Sequence, residues 1–148
     1  MEALRRGDLP VRQRGLELAH RNCHSRAPHH LGGVFDRIPN LQLIVGHMGE
    51  ALPFMLSRVD VMTPDFTRLR HSVSHYLRNH VHYTFAGFNF TPTFLDLLLQ
   101  VGVGRIMFSA DYPYGSMTEA RAFLEKLPVS PADKEQIAHG NAERLLGL

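Results

Sequence analysis

Short apolar runs alternate with longer segments of helical periodicity along most of this chain. Each run has the length of a buried strand and is bounded by glycine, proline or polar residues. The pattern predicts strands at 41–46, 81–86 and 105–109, and helices at about 50–63, 71–79, 91–102, 117–127 and 131–147. Ser130 is expected to cap the last helix, with Pro131 at its first position. Such alternation is typical of an α/β fold in which helices cover a parallel sheet.

A carboxylate follows the third predicted strand. Asp111 stands within Ser109-Ala110-Asp111-Tyr112-Pro113-Tyr114, and Pro113 prevents the backbone from continuing the strand ladder. In α/β barrels the C-terminal ends of the strands carry the catalytic groups. Asp111 is therefore predicted to be a metal ligand or a general base. The alternative for any single Asp is that it caps the following turn or helix.

A histidine follows the first predicted strand in the same way. Gly46 and Gly49 flank His47 and allow tight turns and close approach of a ligand. Glu50 is expected to open an amphipathic helix with apolar positions at Leu52, Phe54, Met55, Val59 and Met62. A lone histidine is more often structural than functional. Two polar groups at the ends of two buried strands, however, predict one shared site.

The composition is that of one soluble globular domain. The 148 residues are 44% hydrophobic and 20% charged, and no apolar run approaches the roughly 20 residues that cross a membrane. A net charge of +2 gives little reason to expect nucleic acid as a partner. A single cysteine, Cys23, excludes an internal disulfide framework and fits a reducing compartment, so a cytoplasmic location is expected.

A series of motifs resembles one enzyme family. The series begins with Gly33-Val34-Phe35-Asp36-Arg37-Ile38-Pro39-Asn40-Leu41, Gly46-His47-Met48-Gly49-Glu50 and Leu52-Pro53-Phe54 with Arg58 and Asp60. It continues with Phe108-Ser109-Ala110-Asp111-Tyr112-Pro113-Tyr114 and ends with His139-Gly140-Asn141-Ala142-Glu143-Arg144-Leu145-Leu146. In order and spacing, residues 32–148 resemble the metal-dependent decarboxylase branch of the amidohydrolase superfamily. That branch includes γ-resorcylate, 2,3-dihydroxybenzoate, 5-carboxyvanillate and aminocarboxymuconate-semialdehyde decarboxylases.

The resemblance implies the C-terminal portion of a (β/α)8 TIM barrel, with three parallel strands and covering helices. It also implies one divalent metal, zinc or manganese, and a small aromatic or related carboxylic acid as substrate. Asp111 resembles the family's metal ligand from the last strand, and His47 its general acid/base. Glu50 and Arg58 are candidates to orient His47 or to bind an anionic group of the substrate, and Tyr114 to pack on the substrate ring. For these three residues, capping, surface pairing or packing is an equally good interpretation.

The chain also departs from the family. A complete barrel of this type needs about 250 residues, and the family's first-strand ligand pair and fifth-strand histidine are absent here. Asp111 and His47 alone are too few to hold a catalytic metal. We therefore expect a fragment that is inactive alone and that self-associates through its open sheet edges. Two alternatives are a metal-dependent hydrolase of a lactone or amide from the same superfamily, and a non-catalytic, self-associating α/β module.

Residues 1–31 have a different character from the rest. They hold many arginines and histidines without periodicity, and His24, His29 and His30 superficially resemble a metal-binding tract. A one-base shift of the reading frame would allow the family's Thr-Ala-Thr-His-Ala-Leu-Arg segment at residues 22–28. The hypothesis is that residues 1–31 are an out-of-frame translation. Sequencing the genomic DNA tests it, since an open upstream frame without family motifs would contradict it.

Overall fold

The computed structural model describes residues 33–62 and 69–148. Its strands and helices are β1 (Leu43–Val45), α1 (Leu52–Met62), α2 (Val73–Asn79), β2 (Val81–Thr84), α3 (Thr91–Val101), β3 (Ile106–Met107), α4 (Met117–Lys126), α5 (Pro131–Glu135) and α6 (Asn141–Leu146). Short 3-10 turns lie at His47–Gly49 and Val103–Arg105, a π-helical turn at Gln136–Gly140, and residues 33–37 are helical. The distinct segment 1–31, which includes His24, His29 and His30, lies outside the described residues.

The three strands form one parallel sheet in the order β1-β2-β3. Leu43 is opposite Val81, and Tyr83 is opposite Ile106, so neighbouring strands run in register from the same edge. Helices α1 and α2 connect β1 to β2, and α3 connects β2 to β3. The predicted α/β fold with three parallel strands and covering helices is therefore confirmed.

Each strand is shorter than its predicted apolar run, because the backbone turns away from the ladder. After β1 and β2 the chain adopts positive φ angles, of 52° at His47 and 46° at Ala86. After β3 the amide of Phe108 donates to the Ile137 carbonyl at 2.9 Å rather than to a strand. Ser109 Oγ then accepts from the Ala86 amide at 2.7 Å, so a side chain replaces the ladder bond between β2 and β3.

The core lies between the sheet and the helices. Tyr83 and Phe85 are fully buried, and the Phe85 ring meets Phe94 of α3 and Phe123 of α4 edge-to-face, at 6.2 and 5.3 Å between centroids. The opposite face of the sheet is less covered, since the side chain of Ile44 is half-exposed. Within 33–62 and 69–148, none of the helices has both the length and the apolar composition to span a membrane.

Helix α1 buries the predicted face except at Phe54, whose place in the core is taken by Leu56. Leu56 and Val59 are buried and Leu52 and Met55 pack at the edge of the core, whereas Phe54 is 74% exposed. The buried positions follow a spacing of three and four residues from Leu52, and Phe54 falls on the opposite side of the helix. The assignment of Phe54 to the core was therefore wrong. The last predicted position of this helix lies outside the described side chains.

Serine side chains begin three of the helices. Ser72, Ser116 and Ser130 each accept a hydrogen bond from the backbone amide three residues later. Pro131 occupies the first position of α5, as the sequence predicted. The single helix predicted at 131–147 is instead divided by the π-helical turn, whose residue Ile137 accepts the Phe108 hydrogen bond that holds the end of β3.

Candidate active site

Strained backbone is concentrated at the carboxyl edge of the sheet. Among the described residues, the non-glycine residues with positive φ are His47, Met48, Glu50, Ala86 and Asp111. All five lie in the loops that follow the three strands, although L-residues adopt this conformation at a cost of about 1 kcal/mol or more each. Strain that persists at one edge, from three different strand ends, is typical of a functional site.

His47 and Asp111 meet at this edge. The distance from His47 Nε2 to Asp111 Oδ2 is 3.9 Å, and the two side chains are 48% and 38% exposed. This distance is too long for a direct hydrogen bond. The imidazole and the carboxylate are therefore close enough to contact the same small group and open enough to reach solvent.

Tight packing under the β1 loop fixes the position of His47. Met48 is fully buried, and Gly49 has a φ of 73° with a hypothetical Cβ only 2.8 Å from the Tyr83 ring. Tyr83 cannot move away easily, because it is fully buried and its hydroxyl donates to the Leu77 carbonyl at 3.1 Å. Only glycine fits at position 49, and this close approach holds the preceding imidazole above the sheet edge.

Two glycines that the sequence analysis did not single out hold Asp111. A Cβ on Gly87 would lie 3.3 Å from the Asp111 Cβ, so the loop after β2 runs directly beside the carboxylate. A Cβ on Gly115 would overlap the Ala110 carbonyl oxygen, and the Gly115 amide donates to the Asp111 carbonyl at 2.7 Å. For the loop after β2, the signal in the sequence was Ala86-Gly87, which follows directly after the apolar run of that strand.

The other predicted site residues are not bonded to this pair. Glu50 is half-buried and its amide donates to the His47 carbonyl at 2.8 Å, but its φ of 55° keeps it out of α1, which begins at Leu52. The prediction that Glu50 opens the helix was therefore wrong. Arg58 is exposed on α1, and Tyr114 is 92% exposed. Within the described residues, no side-chain hydrogen bond or ion pair joins Glu50, Arg58 or Tyr114 to His47 or Asp111.

His47 and Asp111 supply ligand atoms that suit a divalent metal, but two ligands are too few to hold one. An imidazole nitrogen and a carboxylate oxygen are both common ligands of zinc, and carboxylates also suit manganese. In the part of the chain that the structure describes, no three His, Cys, Asp or Glu side chains come together as a metal site. A catalytic zinc usually has three protein ligands. The described residues by themselves therefore do not make a complete metal site.

The C-terminal motif supports β3 from its other end. Asn141 is fully buried, and its Nδ2 donates to the carbonyls of Val103 at 2.8 Å and Ile106 at 2.7 Å. Its Oδ1 accepts from Arg144 Nη2 at 2.7 Å. From the sequence, this motif served only as part of the family resemblance, and no role was assigned to Asn141. In the structure Asn141 has a structural role, because it holds the backbone at the start of β3.

Comparison with known proteins identifies the family. The amidohydrolase family model (Amidohydro_2) matches residues 1–148. Gamma-resorcylate decarboxylase from Polaromonas sp. (strain JS666) is 36% identical over 122 residues, which are 78% of this chain and 37% of that protein. The chain thus spans little more than a third of the length of this relative.

Two solved structures show the same arrangement of strands and helices. Dihydroxybenzoic acid decarboxylase from Polaromonas sp. JS666, with bound manganese and the inhibitor 2-nitroresorcinol, matches with a TM-score of 0.76 and 34% identity. The match covers 80% of this chain and 37% of that one. 5-Carboxyvanillate decarboxylase from Novosphingobium aromaticivorans, with manganese and 4-hydroxy-3-methoxy-5-nitrobenzoic acid, matches with a TM-score of 0.79 and 28% identity. That match covers 95% of this chain and 44% of the other.

These relatives are named as decarboxylases of aromatic acids, and the two structures contain manganese. Their lengths exceed that of the matched region more than twofold. The motif series that predicted this relationship is confirmed by both kinds of comparison. The chain belongs to the amidohydrolase family, and its described part is the C-terminal portion of the (β/α)8 TIM barrel found in the decarboxylases of that family.

Proposed function

We propose that this chain forms part of a metal-dependent decarboxylase of a small aromatic carboxylic acid. The observation that carries the proposal is the 3.9 Å approach of His47 Nε2 to Asp111 Oδ2 at the carboxyl edge of the sheet. The names of the matched relatives, which are decarboxylases of dihydroxybenzoates and of 5-carboxyvanillate, support the substrate class. The manganese in the two matched structures supports a divalent metal, with manganese to be tested before zinc.

His47 is the proposed proton donor. Decarboxylation breaks the bond between the ring carbon and the carboxylate, CO2 leaves, and the electron pair left on the ring carbon takes up a proton. An imidazole is suited to this transfer because it exchanges protons near neutral pH. His47 is partly open to solvent, so it can recover its proton from water after each turnover.

Asp111 is the proposed metal ligand. A divalent cation, when bound, supplies positive charge that orients and polarises an oxyanion of the substrate. The remaining ligands would have to come from outside the described residues, because these residues supply only the imidazole and one carboxylate at the site. The chain by itself is therefore expected to bind the metal weakly and to turn over little substrate.

Three further residues have proposed roles at the rim of the site. Glu50 lies three residues after His47 on the same strained loop, and its proposed role is to orient His47 or to bind an anionic group of the substrate. The exposed ring of Tyr114 follows Asp111 by three residues and is free to close over a bound aromatic ring. Arg58, which is exposed on α1, is the proposed partner of an anionic substituent of the substrate.

The experiment separates the two principal roles. Residues 33–148 would replace the matching part of the Polaromonas gamma-resorcylate decarboxylase, so that the chimera regains the missing barrel strands. We expect the chimera to bind about one metal per chain and to convert 2,6-dihydroxybenzoate to resorcinol and CO2. His47→Asn should keep the metal while turnover falls at least 10²-fold, as expected for loss of a general acid. Asp111→Asn should lose the metal.

His139 provides a control for the His47 variant. His139→Asn removes an exposed imidazole on the C-terminal helices and should change neither metal content nor turnover. If His47→Asn strips the metal as fully as Asp111→Asn does, His47 is a ligand and the division of roles is wrong. If the chimera binds metal but hydrolyses a lactone or amide and releases no CO2, the decarboxylase assignment is wrong. The three rim residues are tested in the same chimera. We expect kcat/KM to fall, without loss of metal, in each of the variants Glu50→Gln, Arg58→Gln and Tyr114→Ala.

A further inference from the structure

A cavity lies at the amino edge of the sheet, at the opposite end of the strands from His47 and Asp111. Its volume is about 580 Å³, within the range of small-molecule sites. Gln42, just before β1, His82, near the start of β2, and Arg105, just before β3, line it together. Sequence reasoning gave none of these residues a role.

Two of the arginines that line this cavity are held in place by neutral partners. Arg78 donates from Nε to the Gln100 carbonyl at 2.9 Å and from Nη2 to Gln100 Oε1 at 3.0 Å. Arg105 donates from Nη1 to Gln42 Oε1 at 2.8 Å. Each guanidinium is thus oriented, and each keeps further N–H groups free for another acceptor.

A third arginine completes the group. Arg144 donates from Nη2 to Asn141 Oδ1 at 2.7 Å and to the Gly104 carbonyl at 3.1 Å. Across residues 33–62 and 69–148, no Asp or Glu lines the cavity or forms an ion pair with any of these arginines. Burial, and after it the proximity of Arg144, lower the pKa of Arg105. Three fixed positive charges therefore surround the cavity without a compensating carboxylate from the described residues.

A buried histidine adds an unpaired polar atom. His82 is only 5% exposed, and its Nε2 lies 3.0 Å from Arg105 Nη1. Since a guanidinium can only donate, Nε2 is the acceptor and Nδ1 carries the proton. Nδ1 is buried and has no hydrogen-bond partner among the described residues. Burial, together with Arg105 and Arg144, lowers the pKa of His82 to about 4, so the ring is neutral at pH 7.

We propose that this cavity binds the phosphate group of a small molecule, or free phosphate, through Arg78, Arg105 and Arg144, with His82 in the cavity wall. Guanidinium groups match the geometry of phosphate oxygens, and they are weakly enough hydrated to be used at partly buried sites. A phosphate dianion would balance two of the three positive charges. The volume exceeds that of inorganic phosphate, which favours a phosphate ester over the free ion.

The test is a binding titration of the purified chain with inorganic phosphate and, separately, with glycerol 3-phosphate. Calorimetry at constant ionic strength gives the affinity, and the NMR signals of the His82 ring report the site. We expect one molecule bound per chain with a dissociation constant of about 1 mM or tighter. The ester should bind more tightly than free phosphate if it is the natural ligand. The His82 signals should shift, and its pKa should rise as the anion offsets the arginines.

Matched variants decide whether this cavity is responsible. Arg78→Gln should weaken binding about 10-fold, because a hydrogen bond to a charged group contributes that much or more. Arg78→Lys keeps the charge but loses the bidentate geometry of the guanidinium. The affinity of this variant for phosphate should lie between those of the unmodified chain and of Arg78→Gln. Arg121→Gln removes the same charge from an 80% exposed position on α4 and should leave the affinity unchanged.

Three results would overturn the proposal. One is the absence of saturable binding of either anion. The second is an equal loss of affinity in Arg121→Gln and Arg78→Gln, which would show that only net charge matters. The third is binding that leaves the His82 signals unmoved, since the anion would then lie elsewhere. Circular dichroism of the Arg78 variants checks that each is folded.

Discussion

The side chain of Asn141 offers a sharp test of how the C-terminal helices support the sheet. Its amide makes hydrogen bonds to the Val103 and Ile106 carbonyls and to Arg144, all between 2.7 and 2.8 Å, and it is fully buried. A typical hydrogen bond contributes about 1 kcal/mol to the free energy of unfolding. Asn141→Ala should therefore destabilise the fold by about 3 kcal/mol, which corresponds to a fall in Tm of roughly 10 °C.

Urea unfolding followed by circular dichroism measures this loss, provided that the m-value is unchanged. Asn141→Asp should be at least as destabilising, because it keeps the acceptor for Arg144 but removes both donors to the carbonyls. Asn79→Ala is the matched control, since Asn79 is exposed and makes one hydrogen bond, to the His75 carbonyl at 2.8 Å. If Asn141→Ala shifts the unfolding midpoint no more than Asn79→Ala does, the structural role given to Asn141 is wrong.

Two further predictions concern pH and association. The carboxylates of Glu135 and Glu143 accept hydrogen bonds from the exposed His139 ring and raise its pKa. The stabilising contribution of His139 is therefore full below pH 6.5 and declines as pH rises through the raised value. His139→Gln should lower Tm more at about pH 6 than at about pH 9. An equal fall in Tm at the two pH values would refute this prediction. Within residues 33–62 and 69–148, no further strand pairs with β1 or β3, and Ile44 is half-exposed, so we predict self-association. Sedimentation that shows a stable monomer at about micromolar concentration would disprove this prediction.

Local patterns in the sequence were sufficient for the architecture. Apolar runs of strand length, separated by helical segments, predicted the parallel sheet, and Ser130 with Pro131 marked the start of α5. Polar residues directly after two strands marked the carboxyl edge, because parallel strands joined by helices end at the same side. The motif series around His47 and Asp111 was specific enough to identify the family.

The tertiary structure decided which residues meet across long stretches of sequence. Periodicity did not show that Leu56 rather than Phe54 faces the core, because that depends on where α1 begins and how it is rotated against α3. The strained φ angles and the 3.9 Å approach of His47 to Asp111 arise from loops packed against each other. The arginine-lined cavity has the same origin, since residues 78, 105 and 144 come together only at the amino edge of the folded sheet. Local propensities set each element, but contacts between elements depend on how the whole chain packs.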